Sequence, residues 1–460
     1  MEQFTADLGR LMTAQREFFD SGATRPYAFR AEQLRRLRRA IRAHEAEIFA
    51  ALKMDMGKPE MEAYASEIGF VYEEIRHMLR RLRSWMAPKR VGTPLAAQPA
   101  TSFILSEPLG EVLIISPWNY PFLLLVSPLL GAIAGGNCAV VKPSELAPHT
   151  AAVIEKVIAE AFPAHYVATV QGGPDVAQVL LARQWEYIFF TGSGAVGRIV
   201  ARAAAEHLTP TTLELGGKSP AIVHRDAKLD VAARRIVWGK FFNAGQTCVA
   251  PDYVLAQRDI KEELLAHMKR HLAQFFGPDP KRSEDYARIV NQRHFDRLSG
   301  LLGAGRVVAG GEADRDDLYI APTILAGVPR DASVMQEEIF GPILPVIEYE
   351  TLDEAIATVR RFPKPLSLYL FTGDRHVEER ILRDLPFGGG CINDTLVHLT
   401  NPHLPFGGVG PSGMGAYHGK FSFDTFSHRK GVVRSLPTID LQTRYQPYRG
   451  KMRLARMVMK

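Results

Sequence analysis

The chain of 460 residues has only three cysteines, and none of them lies in a C-x-x-C spacing. Three thiols cannot all pair, so the sequence predicts free cysteines and a reducing, cytoplasmic compartment. The N-terminus lacks the apolar core of a secretion signal, because Arg10, Arg16 and Glu17 interrupt it. The most apolar run, from Pro121 to Ala134, is too short for a bilayer span and suits a buried core segment.

The excess of positive charge lies in one part of the chain. The net charge is +6, but residues 441–460 contain no acid and six basic residues, namely Arg444, Arg449, Lys451, Arg453, Arg456 and Lys460. The rest of the chain is neutral and has no basic patch interleaved with aromatics, so no nucleic-acid partner is predicted. Met452, Leu454, Met457 and Val458 alternate with these cations. Two interpretations of this tail stay open: peripheral contact with an anionic membrane surface, and a loose or locally docked segment.

Metal-ligand patterns are also absent, since His398, His403, His418 and His428 have no helical pair spacing. What the chain does contain is ordinary globular composition, with 46% hydrophobic and 23% charged residues. Its length predicts two or three domains.

The first 85 or so residues have helical periodicity. Apolar residues recur every three or four positions through Leu34, Leu37, Ile41 and Ile48, and a second helix is predicted from Glu60 to Trp85. A proline-rich break from 88 to 99 follows, and then a short strand around Phe103–Leu105.

From Gly110 onward, short apolar strands alternate with helices. This alternation predicts an α/β fold with a parallel, doubly wound sheet. The predicted strands are Val112–Ile115, Cys138–Val141, Tyr166–Val170 and Tyr187–Phe190, and the predicted helices are Leu123–Ala134 and Thr150–Ala161. A second α/β region is predicted from about Leu213 to Asn393.

Cys248 follows the small, polar run Asn243–Thr247, which is more typical of a site than of a packed strand. A thiolate is the strongest ordinary nucleophile of a protein, so Cys248 is a candidate for covalent catalysis. The alternative is a buried structural cysteine, since free cysteines are commonly buried.

Residues Gly192–Gly197 match G-x-G-x-x-G between a predicted strand and an alanine-rich helix, as in a dinucleotide site. Glu214 lies at the distance expected of a ribose ligand. The same glutamate, in an apolar setting beside glycines, is also a candidate general base with a raised pKa. Spacing leaves both interpretations open. The Gly217–Ser219 segment is not a phosphate loop, because Thr212 occupies the place of its first glycine.

Three more segments carry candidate site residues. Asn119 stands at the end of the first predicted strand, where its amide could stabilise an oxyanion. Lys142 and Glu145 end a neighbouring strand and face the same crevice. Glu338 and Phe340 belong to a third loop of this kind.

Together these segments resemble the aldehyde dehydrogenase superfamily, and the C-terminal part resembles its class 3 branch of fatty and aromatic aldehyde dehydrogenases. The matching segments occur in the family's order, and they are Pro117–Pro121, Lys142–Glu145, Phe190–Ser193, Glu214–Lys218, Gly245–Cys248, Glu338–Pro342 and Pro405–Gly408, with Met414–Lys420 and Phe423–Arg429 for the class 3 branch.

The resemblance implies that an aldehyde, long-chain aliphatic or aromatic, is oxidised to its acid through a thiohemiacetal and a thioester on Cys248. It implies that Asn119 holds the oxyanion and that Glu214 activates the hydrolytic water, which replaces the ribose interpretation. NAD is the implied cofactor, with NADP as the alternative. Lys142 and Glu145 are implied at the adenine-side ribose, with Gly192 and Ser193 near the pyrophosphate. Glu338 is implied at the nicotinamide ribose, with Phe340 beside it.

The resemblance also implies the domain organisation of a homodimer. Its parts are an NAD-binding domain (1–86 and 108–213), a catalytic domain (214–416), an oligomerisation region (87–107 and 417–440) and the basic tail (441–460). A catalytically inactive binding protein on this scaffold is the alternative, but such a protein usually lacks the nucleophile or the base. A simple alcohol dehydrogenase needs a metal site or a Tyr-x-x-x-Lys pair, and the sequence has neither in place.

Overall fold

The computed structural model describes residues 1–440 and 442–458. Leu441, Met459 and Lys460 of the basic tail, and the side chains of Thr443, Leu454 and Val458, lie outside this description. The α-helices in the described ranges are α1 (Glu2–Asp20), α2 (Tyr27–Ala43), α3 (Glu45–Met56), α4 (Glu60–Ala63), α5 (Gly69–Met86), α6 (Leu123–Gly135), α7 (Pro148–Ala161), α8 (Pro174–Leu181), α9 (Gly194–Glu206), α10 (Leu229–Phe241), α11 (Lys261–Phe276), α12 (Gln292–Ser299), α13 (Leu352–Arg360), α14 (Arg375–Asp384), α15 (Lys420–Thr425) and α16 (Met452–Val458).

The strands belong to four sheets. They are β1 (Lys89–Val91), β2 (Ala100–Pro108), β3 (Glu111–Ile115), β4 (Cys138–Lys142), β5 (Val167–Thr169), β6 (Tyr187–Thr191), β7 (Thr211–Glu214), β8 (Pro220–Val223), β9 (Tyr253–Gln257), β10 (Arg306–Ala309), β11 (Ala313–Asp314), β12 (Tyr319–Ile320), β13 (Thr323–Ala326), β14 (Ile343–Tyr349), β15 (Ser367–Phe371), β16 (Gly389–Ile392), β17 (Gly413–Met414) and β18 (Ser427–Ser435).

The first large sheet has the order β17-β7-β6-β3-β4-β5, and every strand in it except the edge strand β17 runs parallel to its neighbour. Strands β3, β4 and β6 are buried along their whole length. Continuous apolar runs are expected where helices cover both faces of a parallel sheet. The predicted α/β alternation is therefore confirmed.

The second large sheet has the order β10-β13-β14-β9-β8-β15-β16 and is parallel except for the edge strand β10. It contains all the large strands between residues 220 and 392, as the second predicted α/β region requires. The chain enters this sheet through β8, directly after the last long parallel strand of the first sheet, β7.

A third, antiparallel sheet joins distant parts of the chain in the order β1-β2-β18. The predicted strand at Phe103–Leu105 lies inside β2, and β18 pairs with β2 along nine residues from Ser427 to Ser435. The proline-rich break also contains β1, which local sequence did not predict because its three residues are all exposed.

Of the N-terminal helices, α1 packs against β3 and β4 of the first sheet, whereas α2 packs against α6 and α7, and α3 packs against α7. The predicted apolar stripe of Leu34, Leu37, Ile41 and Ile48 is fully buried. The helix predicted from Glu60 is interrupted, because one turn of π-helix at Tyr64–Ile68 separates α4 from α5. Among the described residues, no helix combines the length and apolar character that a bilayer crossing requires.

Candidate active site

Cys248 follows a strained loop between α10 and β9. Asn243, Ala244 and Gly245 have φ angles of 55°, 50° and 73°, so three successive residues lie in the left-handed region. That region costs a non-glycine residue about 1–2 kcal/mol. At Gly245 a Cβ would lie 2.3 Å from the carbonyl oxygen of Gly341. Such strain persists only where the surroundings hold the backbone, and it clusters at functional sites.

Hydrogen bonds from distant segments hold this loop. The Asn243 N–H donates to the Glu62 carboxylate at 3.0 Å. The Gln246 side-chain amide donates to the Arg288 carbonyl at 2.9 Å and accepts from the Val290 N–H at 3.0 Å. The backbone before Cys248 is therefore fixed from both sides.

The Cys248 thiol is partly buried, at the end of a largely apolar cavity of about 230 Å³. Burial raises the pKa of this thiol above its usual value, and the nearby carboxyl groups of Glu338 and Glu214 raise it further. The backbone N–H groups of Cys248 and Val249 act in the opposite direction. Two amides therefore already face the position where negative charge develops on the sulfur.

Asn119 is fixed beside this loop. Its side-chain Nδ2 donates to the Gln246 carbonyl at 3.0 Å, which leaves a second amide proton free of that bond. Its own carbonyl accepts from Lys58 Nζ at 3.2 Å and from Asn243 Nδ2 at 2.9 Å. The adjacent Tyr120 hydroxyl lies 2.6 Å from Thr247 Oγ1. The end of β3 and the nucleophile loop are thus one hydrogen-bonded unit.

Glu214 is the last residue of β7 and is only 2% exposed. Within the described residues neither of its carboxylate oxygens has a hydrogen-bond partner. Burial holds the pKa of this carboxyl well above its usual range. It lies close enough to Cys248 and to Tyr417 to raise the pKa of both groups. An unpartnered buried carboxyl is unfavourable unless a ligand or water completes it.

The other predicted residues follow the carboxyl ends of neighbouring parallel strands, where open α/β sheets bind ligands. Lys142, at the end of β4, is buried and donates to the Glu145 carboxylate at 3.1 Å. Gly192 and Ser193 connect β6 to α9, and the Ser193 hydroxyl accepts a bond from the first turn of that helix. Thr191 Oγ1, at the same strand end, is buried without a partner. A helix N-terminus, a buried cation and unpartnered polar atoms along one sheet edge fit a dinucleotide.

Glu338 and Phe340 approach from the other large sheet. The Glu338 carboxylate lies so close to Gly216 that a Cβ there would be 2.0 Å from its oxygen. Burial raises the pKa of Glu338 to about 8, against the effect of the Gly217 N–H and of Lys218. Phe340 packs edge-on against Trp118, with ring centroids 5.4 Å apart. The glycines after Glu214 are therefore needed for the approach of this loop.

Sequence reasoning assigned no role to Lys218. Its ammonium forms a buried ion pair with Asp252 and donates to the carbonyls of Val334 and Glu337 at 3.0 and 2.9 Å. Asp252 in turn accepts from the Ile339 N–H at 2.8 Å. This pair holds the Glu338 loop against the site, so the lysine that resembled a phosphate ligand is structural.

A buried Lys58–Glu67 ion pair is the second feature that sequence reasoning missed. Both side chains are fully buried, and Lys58 reaches the Asn119 carbonyl. The other Glu67 oxygen accepts from the N–H groups of Phe122 and Leu123, next to the start of α6. Nothing in the local sequence distinguishes these two charges from solvated ones, because only the fold buries them.

The cavity that ends at Cys248 is lined almost wholly by apolar and aromatic side chains. Its lining includes Ala65, Phe70, Tyr120, Leu123, Leu124, Trp238, Phe242, Val249, Leu396, Val397, Leu399, Phe406 and Tyr417. Glu214 lies outside this lining, toward the edge of the first sheet. The thiol is therefore accessible from an apolar cavity, and neither the candidate base nor the candidate dinucleotide residues belong to the lining of this cavity.

Comparison with known proteins gives a family match. Residues 3–432 match the model of the aldehyde dehydrogenase family. The chain is 50% identical over 436 residues to 4,4'-diaponeurosporen-aldehyde dehydrogenase of Staphylococcus aureus, covering 94% of this chain and 95% of that protein. It is 48% identical over 456 residues to aldehyde dehydrogenase family 3 member H1 of Arabidopsis thaliana, covering 98% and 94%.

Two further matches bear on assembly and on the fold. The dimeric, NADP-preferring aldehyde dehydrogenase of Canis lupus familiaris is 45% identical over 447 residues, covering 97% of this chain and 99% of that protein. A substrate-bound structure of Staphylococcus aureus AldH superposes with a TM-score of 0.97 at 48% identity, covering 98% and 99%.

Proposed function

This chain belongs to the aldehyde dehydrogenase family and oxidises aldehydes with NAD(P), and we propose that Cys248, Glu214 and Asn119 carry out the reaction. The observation that carries this proposal is the Glu214 carboxyl group, buried without a partner and near enough to Cys248 to raise its pKa. Such a group binds and deprotonates a water beside the thiol.

The covalent step is assigned to Cys248. Its sulfur, as thiolate, forms a bond to the aldehyde carbon, and the carbonyl oxygen takes up the electron pair of the broken π bond. The free amide proton of Asn119 and the Cys248 N–H donate to this oxyanion. When bound, NAD(P) supplies the hydride acceptor. Loss of the hydride leaves a thioester on Cys248.

Hydrolysis of the thioester is assigned to Glu214. Its carboxylate takes a proton from water, the oxygen attacks the acyl carbon, and the carbon–sulfur bond breaks. The acid leaves, and the proton taken up by Glu214 passes to the Cys248 sulfur, which restores the thiol and the Glu214 carboxylate. This role agrees with the position of the Glu214 carboxyl, which is buried at the end of β7 and near enough to Cys248 to raise the pKa of its thiol.

The cofactor residues are proposed along the sheet edge. Lys142 and Glu145 hold the adenine-side ribose, and Gly192 and Ser193 place the pyrophosphate at the start of α9. On the other side, Glu338 holds the nicotinamide ribose. Phe340 lies beside it, packed on Trp118.

The substrate we propose is a long-chain aliphatic or aromatic aldehyde. The lining of the Cys248 cavity supports this, since it offers aromatic and aliphatic surface and almost no polar atoms. Apolar lining binds such groups through the removal of apolar surface from water.

We further propose a homodimer formed through the β1-β2-β18 sheet, with the domain division given by the resemblance. One relative is named as dimeric. Four large apolar side chains on and beside this sheet are exposed in the single chain, namely Val91, Leu95, Val433 and Leu436. Exposed apolar clusters of this kind mark interaction surfaces.

A reducing compartment is supported by the three unpaired cysteines, Cys138, Cys248 and Cys391. Peripheral membrane contact of the basic tail stays a prediction. In the tail, α16 presents Met452 and Met457 to solvent at 64% and 72% exposure, which is compatible with either interpretation of the segment.

The proposed roles are tested by trapping the acyl-enzyme. We expect Cys248→Ala to abolish NAD(P)H formation, and Glu214→Gln to give about one equivalent per site and then stop. Intact-mass spectrometry of Glu214→Gln after one turnover should show the acyl adduct. Rapid steady turnover by Glu214→Gln with no adduct would remove the base role, whereas an active Cys248→Ala would remove the nucleophile.

A further inference from the structure

A second cavity of about 220 Å³ adjoins the one that ends at Cys248. The two cavities share five of their lining residues, which are Ala65, Phe70, Leu399, Thr400 and His418. The Phe70 and His418 rings lie 5.5 Å apart at this shared wall. A flexible chain that fills the first cavity therefore reaches the second when these side chains shift.

The second cavity differs from the first in its polar lining. Glu74, on α5, is only 5% exposed, and neither of its carboxylate oxygens has a hydrogen-bond partner in residues 1–440 and 442–458. The neighbouring Ser127 hydroxyl lies near enough to lower the pKa of Glu74, but within the described residues the two groups do not meet hydrogen-bond geometry. The polar part of the lining also includes His77, His418, Thr400 and the exposed Glu73, which is paired with Arg76.

In this second cavity, burial disfavours the charged forms of Glu74, His77 and His418. Burial raises the pKa of Glu74 to about 7 and lowers the pKa of His418 to about 3. Burial also lowers the pKa of His77, with a contribution from His403. At neutral pH the imidazoles are uncharged, and Glu74 is available in its protonated form as donor as well as acceptor.

An unpartnered buried carboxyl costs about 1–3 kcal/mol relative to a satisfied one. Its position in a cavity that shares a wall with the substrate cavity of Cys248 indicates that a ligand completes it. We propose that Glu74 forms a distal subsite for aldehydes whose far end carries an uncharged hydrogen-bonding group, a hydroxyl in the first place. This inference rests on the proposed function, because it assigns the far end of the same substrate.

A hydroxyl suits this path better than an ammonium group does. The distal group must pass the apolar lining around Cys248, where desolvation of a full charge costs far more than that of a hydroxyl. At the subsite the hydroxyl donates to one Glu74 oxygen or accepts from its proton, so the orphaned carboxyl gains a partner in either state.

The test compares unbranched alkanals with the matched ω-hydroxyalkanals at each chain length, by NAD(P)H formation. The measured quantity is the ratio of kcat/KM for the hydroxylated over the plain aldehyde. We expect this ratio to have a maximum at one chain length and Glu74→Leu to lower that maximum about tenfold, with Glu74→Gln in between. The same change on the surface of α14, Glu379→Leu, should leave the ratio as in the unsubstituted chain.

A ratio that is flat with chain length, or a maximum that survives in Glu74→Leu, would overturn the subsite. A stronger preference for ω-aminoalkanals that depends on Glu74 would overturn the choice of an uncharged group. Hexanal, which has no distal polar group, separates this inference from the proposed function. Turnover of hexanal with a flat ratio removes only the subsite, whereas no turnover of any aldehyde removes the function as well.

Discussion

The environment of the Glu214 side chain distinguishes between two possible roles of this residue. Sequence spacing allowed this residue to be a ribose ligand or a general base, since both need a carboxylate after a strand. The Glu214 carboxyl is buried without a partner in the described residues and is close enough to Cys248 to raise the pKa of the thiol, which favours the base. The role of this residue therefore depends on the burial of its carboxyl group, which the spacing of motifs in the sequence does not show.

The first prediction concerns the pH dependence of hydrolysis. Glu214 acts as a base only when ionised, and burial raises its pKa well above 4.5. We expect the hydrolysis rate of the acyl-enzyme to fall as pH decreases through this raised pKa. Single-turnover rapid-quench measurements from pH 5 to 9 would show the inflection.

Two observations check this assignment. An inflection in the ordinary carboxyl range would contradict a pKa raised by burial. An inflection that persists in Glu214→Gln would show that another group is responsible for it. The same shift has a stability consequence, since the folded state retains a proton that the unfolded state releases above about pH 4.5. Relative to the unsubstituted chain, Glu214→Gln should therefore gain more thermal stability at pH 8 than at pH 5.

The second prediction concerns cofactor choice at Glu145. A carboxylate at the adenine-side ribose repels a 2′-phosphate, and a charge pair at a solvated site is worth about 1 kcal/mol. We expect Glu145→Gln to shift the ratio of NADP to NAD affinity up to fivefold toward NADP. Isothermal titration calorimetry with both cofactors measures the ratio. Glu206→Gln, an exposed substitution in α9, is the control, and an unchanged ratio in Glu145→Gln would place its carboxylate elsewhere.

At the scale of elements, the Lys58–Glu67 pair connects three of them: the chain before α4, the π-helical turn before α5, and the segment between β3 and α6. Lys58 holds the Asn119 carbonyl, while Glu67 satisfies N–H groups next to the start of α6. A single hidden ion pair thus positions the proposed oxyanion donor.

The third prediction follows from that pair. Removing one partner leaves the other charge buried and unpaired, which costs about 3–5 kcal/mol. We expect Lys58→Met to lower the unfolding midpoint strongly and to reduce kcat more than it changes KM, since Asn119 acts on the transition state. Lys58→Met combined with Glu67→Leu should recover part of the stability but not kcat.

The matched control is an ion pair on the surface, Lys430–Glu107, which lies far from the thiol in sequence and links β18 to β2. Its removal by Lys430→Met should cost about 1 kcal/mol or less. Equal effects of Lys58→Met and Lys430→Met on stability and kcat would show that the buried pair has no special role.

At the scale of the whole molecule, the third sheet joins two segments more than 300 residues apart in sequence and leaves apolar side chains uncovered. Val433, on β18, is 57% exposed and lies opposite Ser102 of β2. Exposed apolar side chains grouped on one face of a sheet mark an interaction surface. We propose that a second copy of the chain covers this face in the dimer.

The fourth prediction tests whether a second copy of the chain covers the β1-β2-β18 sheet. We expect Val433→Asp to shift the protein from dimer toward monomer, because a carboxylate buried in an apolar interface costs several kcal/mol. Sedimentation-velocity analysis measures the shift. Val307→Asp, at a similarly exposed position on β10, should leave the dimer intact. An unchanged sedimentation coefficient in Val433→Asp would exclude this sheet as the interface.

The sequence alone determined the α/β alternation, the burial of the Leu34–Ile48 stripe and the identity of the family, since these depend on local periodicity and on motifs in order. Cys248, Glu214 and Asn119 were named from those motifs. The tertiary structure decided which charges are buried: Lys58, Glu67 and Glu74 look like ordinary surface residues in the sequence, and nothing there showed that Lys218 pairs with Asp252. Their roles depend on desolvation and on partners distant in the chain, and only folding brings these about.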